Sequence, residues 1–263
     1  MFSIIKADGI RIFRSKGFYI WLVVFLGLTF LQLFGMNSTA EVGEALFIMD
    51  VVGLTEINGS IMPLVFMSDM LTTLYFIVPF VLLVISIDFS SGAIKNILSG
   101  GVSRVRYYVA KLLLVLFLTI LIHAVSIVIP TIWMTWMRGF GEAFAVEWLW
   151  TMTQMFLVQT FVLVGVMSIG IFFAFTTKNT AGALGTFIAL TTLPSATIHI
   201  LQMFGIANVE RFARFEPISV LNSIVHWHDW SAADIRHAIM LGFIYLVASI
   251  AGSVLLFKKA EMP

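Results

Sequence analysis

Residues 88–111, DFSSGAIKNILSGGVSRVRYYVAK, decide how this chain folds. They form a Gly/Ser-punctuated basic segment held between two long apolar runs. Lys95, Arg104, Arg106 and Lys111 set four positive charges there against one acid, Asp88. Short loops rich in Lys and Arg stay on the cytoplasmic side of a membrane, so this segment predicts an inner loop and gives direction to the flanking runs. Gly100-Gly101 permits a sharp turn after a short helix.

Working outward, composition names the solvent. Hydrophobic residues make up 60% of the chain and charged residues 11%, whereas soluble domains carry about 25% charged residues. Mean hydropathy is +1.03. A chain of 263 residues this apolar cannot bury its surface in one soluble core, which predicts an integral membrane protein. The net charge of +1 says nothing about nucleic acid, since what matters is how charge is distributed along the chain; no nucleic-acid partner is expected. With no cysteine, disulfides, thiolate metal sites and cysteine nucleophiles are excluded. Lys6, Arg11, Arg14 and Lys16 precede an apolar run without a small-residue cleavage site, so a retained first span is expected.

Six stretches are long enough to cross a hydrocarbon core, which takes roughly 20 residues. They run over about 18–34, 63–87, 112–136, 148–175, 181–199 and 237–257. The fifth is interrupted by Gly182, Gly185 and Pro194, breaks that neighbouring helices can satisfy. The expected fold is all-α, a single transmembrane domain over 1–263 with six transmembrane helices. Placing the N-terminus inside puts eleven of the fifteen Lys and Arg residues on the cytoplasmic side and only Arg138, Arg211, Arg214 and Arg236 outside. Both termini are therefore expected in the cytoplasm.

Residues 1–16 alternate Phe2, Ile5, Ile10, Ile12 and Phe13 with Lys6, Arg11, Arg14 and Lys16, the pattern of an amphipathic helix lying on the inner leaflet. Two outer segments, 36–62 and 200–235, are longer than hairpins. The second carries Phe204, Phe212, Phe215, Trp227 and Trp230, suited to anchoring at the interface.

The order of features in 88–111 is an acid at the membrane exit, Gly92, an amphipathic turn, a Gly/Ser break, Ser-Arg, then a Lys opening the next span. That order resembles the first cytoplasmic loop of ABC-2 type permeases, the membrane subunits of ATP-binding-cassette exporters. The amphipathic start resembles the elbow helix of that family, and the long segment before the last span resembles its re-entrant region. There, His199–Phe204 and Pro217–Val225 would supply two short helices. The resemblance implies a coupling helix docking on an ATPase, formed here by Asp88, Gly92, Ile94, Lys95, Ile97, Leu98, Gly101, Arg104 and Arg106. The family usually has Glu at the membrane exit, where this chain has the shorter Asp88. No Gly-x-x-x-x-Gly-Lys-Ser/Thr is present, so the chain itself carries no P-loop. ATP and magnesium would belong to a separate ABC ATPase subunit in two copies, with a second permease chain, identical or homologous, completing the pathway. No cofactor and no enzyme activity are expected on this chain. The resemblance also places it in the bacterial cytoplasmic membrane, in contact with lipid.

Spans rich in Phe, Met and Leu suit an amphipathic or lipophilic cargo. By resemblance, the cargo is an antimicrobial, bacteriocin-like peptide, for export or self-immunity; a drug or lipid is the alternative. The substrate pathway would lie on spans two and five, near Asp69, Phe76, Phe80 and Phe187. A carboxylate inside a span is costly, so Asp69 either meets a cation, such as substrate or Arg138, or is wetted near the outer surface. His123 lies inside the third span, where a lone His commonly bonds a neighbouring helix. His226-Trp227-His228-Asp229 has metal-like composition, but His-x-His supplies only two ligands, where zinc needs three or four. A membrane-embedded metalloenzyme built on His123, His199, His226 and His228 stays open as another class, as does an ATPase-independent immunity factor. Gly165, Ser168, Gly170, Gly182 and Gly185 are small residues that let helices approach closely.

Overall fold

The computed structural model describes residues 2–39, 58–141, 144–205 and 209–259. Among them the chain is helical, without a strand. Its α-helices are α1 (Phe2–Arg14), α2 (Lys16–Thr39), α3 (Met62–Ser68), α4 (Met70–Ser90), α5 (Ala93–Ser99) and α6 (Arg104–Arg138). They continue as α7 (Val146–Thr177), α8 (Thr180–Met203), α9 (Val209–Ala213), α10 (Pro217–Ser223) and α11 (Ala232–Lys259), with a 3-10 turn over Ile224–Asp229. Most of the expected outer segment 36–62 lies outside the described residues.

Five helices, α2, α6, α7, α8 and α11, are long and apolar enough to cross a membrane, and α3 with α4 makes a sixth span if the bent pair is counted as one. At 1.5 Å per residue, α6 and α7 reach about 50 Å, well beyond the roughly 30 Å hydrocarbon core. The central helix is α7, with 61% of its apolar window buried, against 17% for α2, 18% for α8 and 22% for α11. The peripheral three therefore show most of their apolar surface to lipid or to another chain.

The closest packing joins α7 to α11 through two glycines. A Cβ on Gly165 would stand 2.4 Å from the Gly242 carbonyl oxygen, a backbone atom that cannot swing aside. Ser168 Oγ then donates to the Gly165 carbonyl at 2.5 Å. Gly170 makes room for the Phe187 ring of α8, 3.1 Å from where its Cβ would be. Gly182 faces only Thr177 of its own hairpin, and Gly185 has open space where a Cβ would stand.

Two expectations are corrected. The second span is not one helix over 63–87: the chain breaks at Asp69 and bends by 71° between Met62–Ser68 and Met70–Pro79. Asp69 itself leaves helical geometry (φ −106°, ψ 62°) and its carboxylate accepts from the Thr72 amide at 3.3 Å, starting a new helix. Residues 199–203 also form no separate short helix but the last turn of α8. That helix runs unbroken past Pro194, capped at its start by Asn179, which accepts from the Ala181 amide at 3.0 Å.

Candidate functional site

The segment between the second and third spans folds as a short helix on a tight root. Gly92 takes a left-handed conformation (φ 68°) before α5, and Gly101 does so after it (φ 86°), where a side chain would be strained. Ser103 caps α6 by accepting from the Arg106 amide at 3.3 Å. Ile94 is buried in the chain's own core, and Ile97 and Leu98 pack partly buried against it. The apolar face of α5 is thus turned inward. Lys95, Asn96 and Arg106 are exposed, and Arg104 is half-buried.

Beneath this helix lies a cluster of charges that links three elements. Lys111 and Asp88 are fully buried and Asp8 nearly so. Lys111 Nζ stands 2.6 Å from Asp88 Oδ2 and 2.7 Å from Asp8 Oδ2, and donates to the Val84 carbonyl at 3.3 Å. Arg11 pairs with Asp88 Oδ1, and with Asp8 Oδ1 at 2.8 Å. Tyr107 completes the group, its hydroxyl donating to Asp88 Oδ2 at 2.6 Å, while Lys111 Nζ sits 5.5 Å from the centre of its ring. Helical spacing explains the convergence: Asp8 and Arg11 share one face of α1, and Tyr107 and Lys111 share one face of α6.

Two acids face two bases, so the cluster is neutral as a whole. Burial works against the Arg11 charge, but its hydrogen bond to Asp88 and the nearby Asp88 and Asp8 carboxylates hold its pKa above the ordinary value. A buried ion group of this kind adds little stability compared with an apolar core, yet leaving one member unpaired is severely costly. The cluster ties α1 to the ends of α4 and α6 through Asp8 and Arg11 on one side and Asp88, Tyr107 and Lys111 on the other. Asp88 therefore meets α1 and α6 inside the chain. Asp8 was not singled out by the sequence pattern, because its partner Lys111 is 103 residues away; an acid inside a basic amphipathic helix was the signal available.

A second polar node satisfies the broken span. The break frees the Met67 carbonyl and the Met70 amide, groups that cost several kcal/mol each if left unpaired in hydrocarbon. Gln159 of α7 donates through Nε2 to the Met67 carbonyl at 2.8 Å and to the Leu221 carbonyl of α10 at 2.9 Å. Asn222 accepts from the Met70 amide at 3.2 Å. Gln159 lies thirteen residues into α7, about 20 Å along it, so α10 dips into the bundle to that depth. His123 is buried one turn away, its ring stacked on Phe156 with centroids 5.1 Å apart.

The remaining expected pathway residues are spread through the molecule. Asp69 is the break itself. Phe76 packs edge-on against Phe25 at 5.3 Å, and its carbonyl accepts from Trp21 Nε1 at 2.8 Å. That bond lies one residue beyond the carbonyl that Pro79 deprives of its amide donor. Phe187 is fully buried against Gly170. The side chains of Phe80 and His199 lie outside the described residues. Among the described residues, no three His, Cys, Asp or Glu side chains gather as metal ligands.

No family model matches the chain, and no curated protein matches it. Fold and composition define the class: a helical, multi-pass membrane protein.

Proposed function

We propose that the chain is the permease subunit of an ATP-driven exporter of the ABC-2 type, set in the bacterial cytoplasmic membrane with both termini inside. What supports this reading is the α5 hairpin: a short helix that exposes Lys95 and is flanked in the chain by Asp88 and Lys111, members of the buried ion cluster that joins α1, α4 and α6. A docked ATPase subunit would press on Lys95 and Arg106, and the rigid root would pass that displacement to the spans as one body. The amphipathic α1 takes the role of the elbow helix and α5 that of the coupling helix. Two such permease chains and two ATPase subunits would make the transporter. The cargo is an amphipathic or lipophilic molecule, and an antimicrobial peptide suits the apolar spans best.

The test is a gentle-detergent pull-down of the tagged chain expressed with its neighbouring genes, followed by an ATP hydrolysis assay. Co-purification of a P-loop ATPase, lost on Lys95→Glu/Arg106→Glu while the permease still elutes as a folded species, is the expected result. Recovery of the chain alone, with α5 intact, would reject the transporter and favour a passive peptide-binding factor.

A further inference from the structure

The end of the bundle away from the ion cluster carries two cavities on either side of one short segment. The first, about 500 Å³, is lined by Arg214, Ser219, Ser223, Trp230, Asp234 and His237 among others. The second, about 670 Å³, is an apolar groove along α8 that includes Leu190, Leu193, Ile198, Phe212 and Phe215. Residues 212–217 form the wall between them.

That wall is held in place at successive residues. His237 Nε2 bonds the Arg214 carbonyl at 2.9 Å, and Tyr245 donates its hydroxyl to the Phe215 carbonyl at 2.5 Å. Both anchors come from α11. Glu216 turns its carboxylate back to cap α10, accepting from the Ile218 amide at 3.0 Å and the Ser219 amide at 2.5 Å. The Glu216 charge is thereby spent on the fold, and the groove beside it offers almost nothing polar. In the first cavity Asp234 is likewise oriented, its Oδ2 accepting from the Ser231 amide at 2.9 Å and the Ser231 hydroxyl at 2.6 Å. A preformed site loses little ordering entropy when it binds.

We propose that the paired cavities hold one zwitterionic phospholipid. Its phosphate meets Arg214, its ammonium meets Asp234 and the Trp230 ring, and an acyl chain passes over the 212–217 segment into the groove along α8. Guanidinium matches phosphate through parallel charge-assisted hydrogen bonds, and an indole face attracts an ammonium. One cation and one anion in the same cavity disfavour a purely anionic or purely cationic amphiphile, since each would leave one charge opposed. A peptide is disfavoured by the groove, which lacks partners for its backbone amides. Trp227 and Trp230, stacked 6.0 Å apart, are side chains of the type that favours the headgroup level. This inference does not rest on the transport reading.

The experiment uses the full chain, with whatever partners co-purify, in vesicles of equal phosphatidylethanolamine and phosphatidylglycerol. Retained lipid is counted by native mass spectrometry, and a phosphatidylethanolamine with a photoreactive acyl end maps the groove. Retention of phosphatidylethanolamine over phosphatidylglycerol is expected, falling roughly tenfold in Arg214→Gln and in Asp234→Asn for loss of one charge-assisted contact. Arg211→Gln, on the short helix just before Arg214 but outside the cavity lining, should leave retention unchanged. Leu193→Trp should abolish the acyl-end crosslink, and free phosphoethanolamine should fail to displace the lipid. Equal retention of the two lipids, or equal effects of Arg211→Gln and Arg214→Gln, would overturn the proposal. So would crosslinking of an added cationic peptide to the groove in place of lipid. The exposed Arg214 and Asp234 side chains can be replaced without disturbing the core, and an unchanged elution profile verifies this for each variant.

Discussion

Replacing Lys111 with Met isolates the contribution of the buried ion cluster. The side chain is fully buried and stands 2.6 Å from Asp88 and 2.7 Å from Asp8. Its removal leaves two carboxylates facing Arg11 alone, a net negative charge in a site with little access to water. Breaking a buried pair in this way costs about 3–5 kcal/mol. For a chain of this size each kcal/mol moves the melting temperature by a few degrees, so Lys111→Met should lower it by roughly 10 °C. Met fills most of the same volume, so the loss reads charge rather than packing. The matching variant Lys111→Met/Asp8→Asn restores neutrality and keeps Asp88 paired with Arg11 and Tyr107. It should recover about 2 kcal/mol, a coupling within the range for residues in one network. Unfolding followed by tryptophan fluorescence in a fixed detergent, over the four members of the cycle, measures it. A loss below about 2 °C for Lys111→Met, or strict additivity in the double variant, would refute the reasoning.

Three further predictions follow from the same contacts. Tyr107→Phe removes one donor to the buried Asp88 carboxylate and should cost about 1.5–3 kcal/mol in the same unfolding assay. Gln159→Leu leaves the Met67 and Leu221 carbonyls unpaired at about 1–3 kcal/mol each. Gln159→Glu should fall between Gln159→Leu and the unaltered chain, because a carboxyl of the same shape offers at most one O–H donor where the amide gives two N–H; a Gln159→Leu without effect would reject the bridging role. Gly165→Ala should cost about 1–3 kcal/mol by forcing α7 from α11, whereas Gly185→Ala, which meets open space, should be neutral or slightly stabilising. Thermal denaturation of the pair side by side distinguishes close packing from a general intolerance of substitution.

Helix existence was legible because hydrocarbon allows a spanning chain few ways to satisfy its backbone, so length and hydropathy alone mark the spans. The small residues were legible as a class, yet only the packed structure separates Gly165, pressed against a backbone carbonyl, from Gly185, which touches nothing. The break at Asp69 escaped the pattern because the sequence marked a costly carboxylate inside an apolar run, and a charge does not say that the helix ends there. What stabilises it, Gln159 and Asn222, lies 92 and 152 residues from the groups it bonds. Ile94, Ile97 and Leu98 were read as a surface for a partner; the fold buries Ile94 and leaves Ile97 and Leu98 partly exposed beside the core, a division that an apolar stripe does not reveal.

By itself the sequence determined the solvent, the approximate extent of the five long apolar helices, and the helix-bearing basic loop before the longest of them. These depend on local composition and on period, which a linear chain carries in full. The tertiary structure alone decided that Asp8, Arg11, Asp88 and Lys111 form one neutral cluster, that the second span bends, and that 212–217 is a wall between two cavities. Each of those depends on which distant residues become neighbours. A charge on a surface and a charge in a buried pair are written with the same letter, and only packing tells them apart.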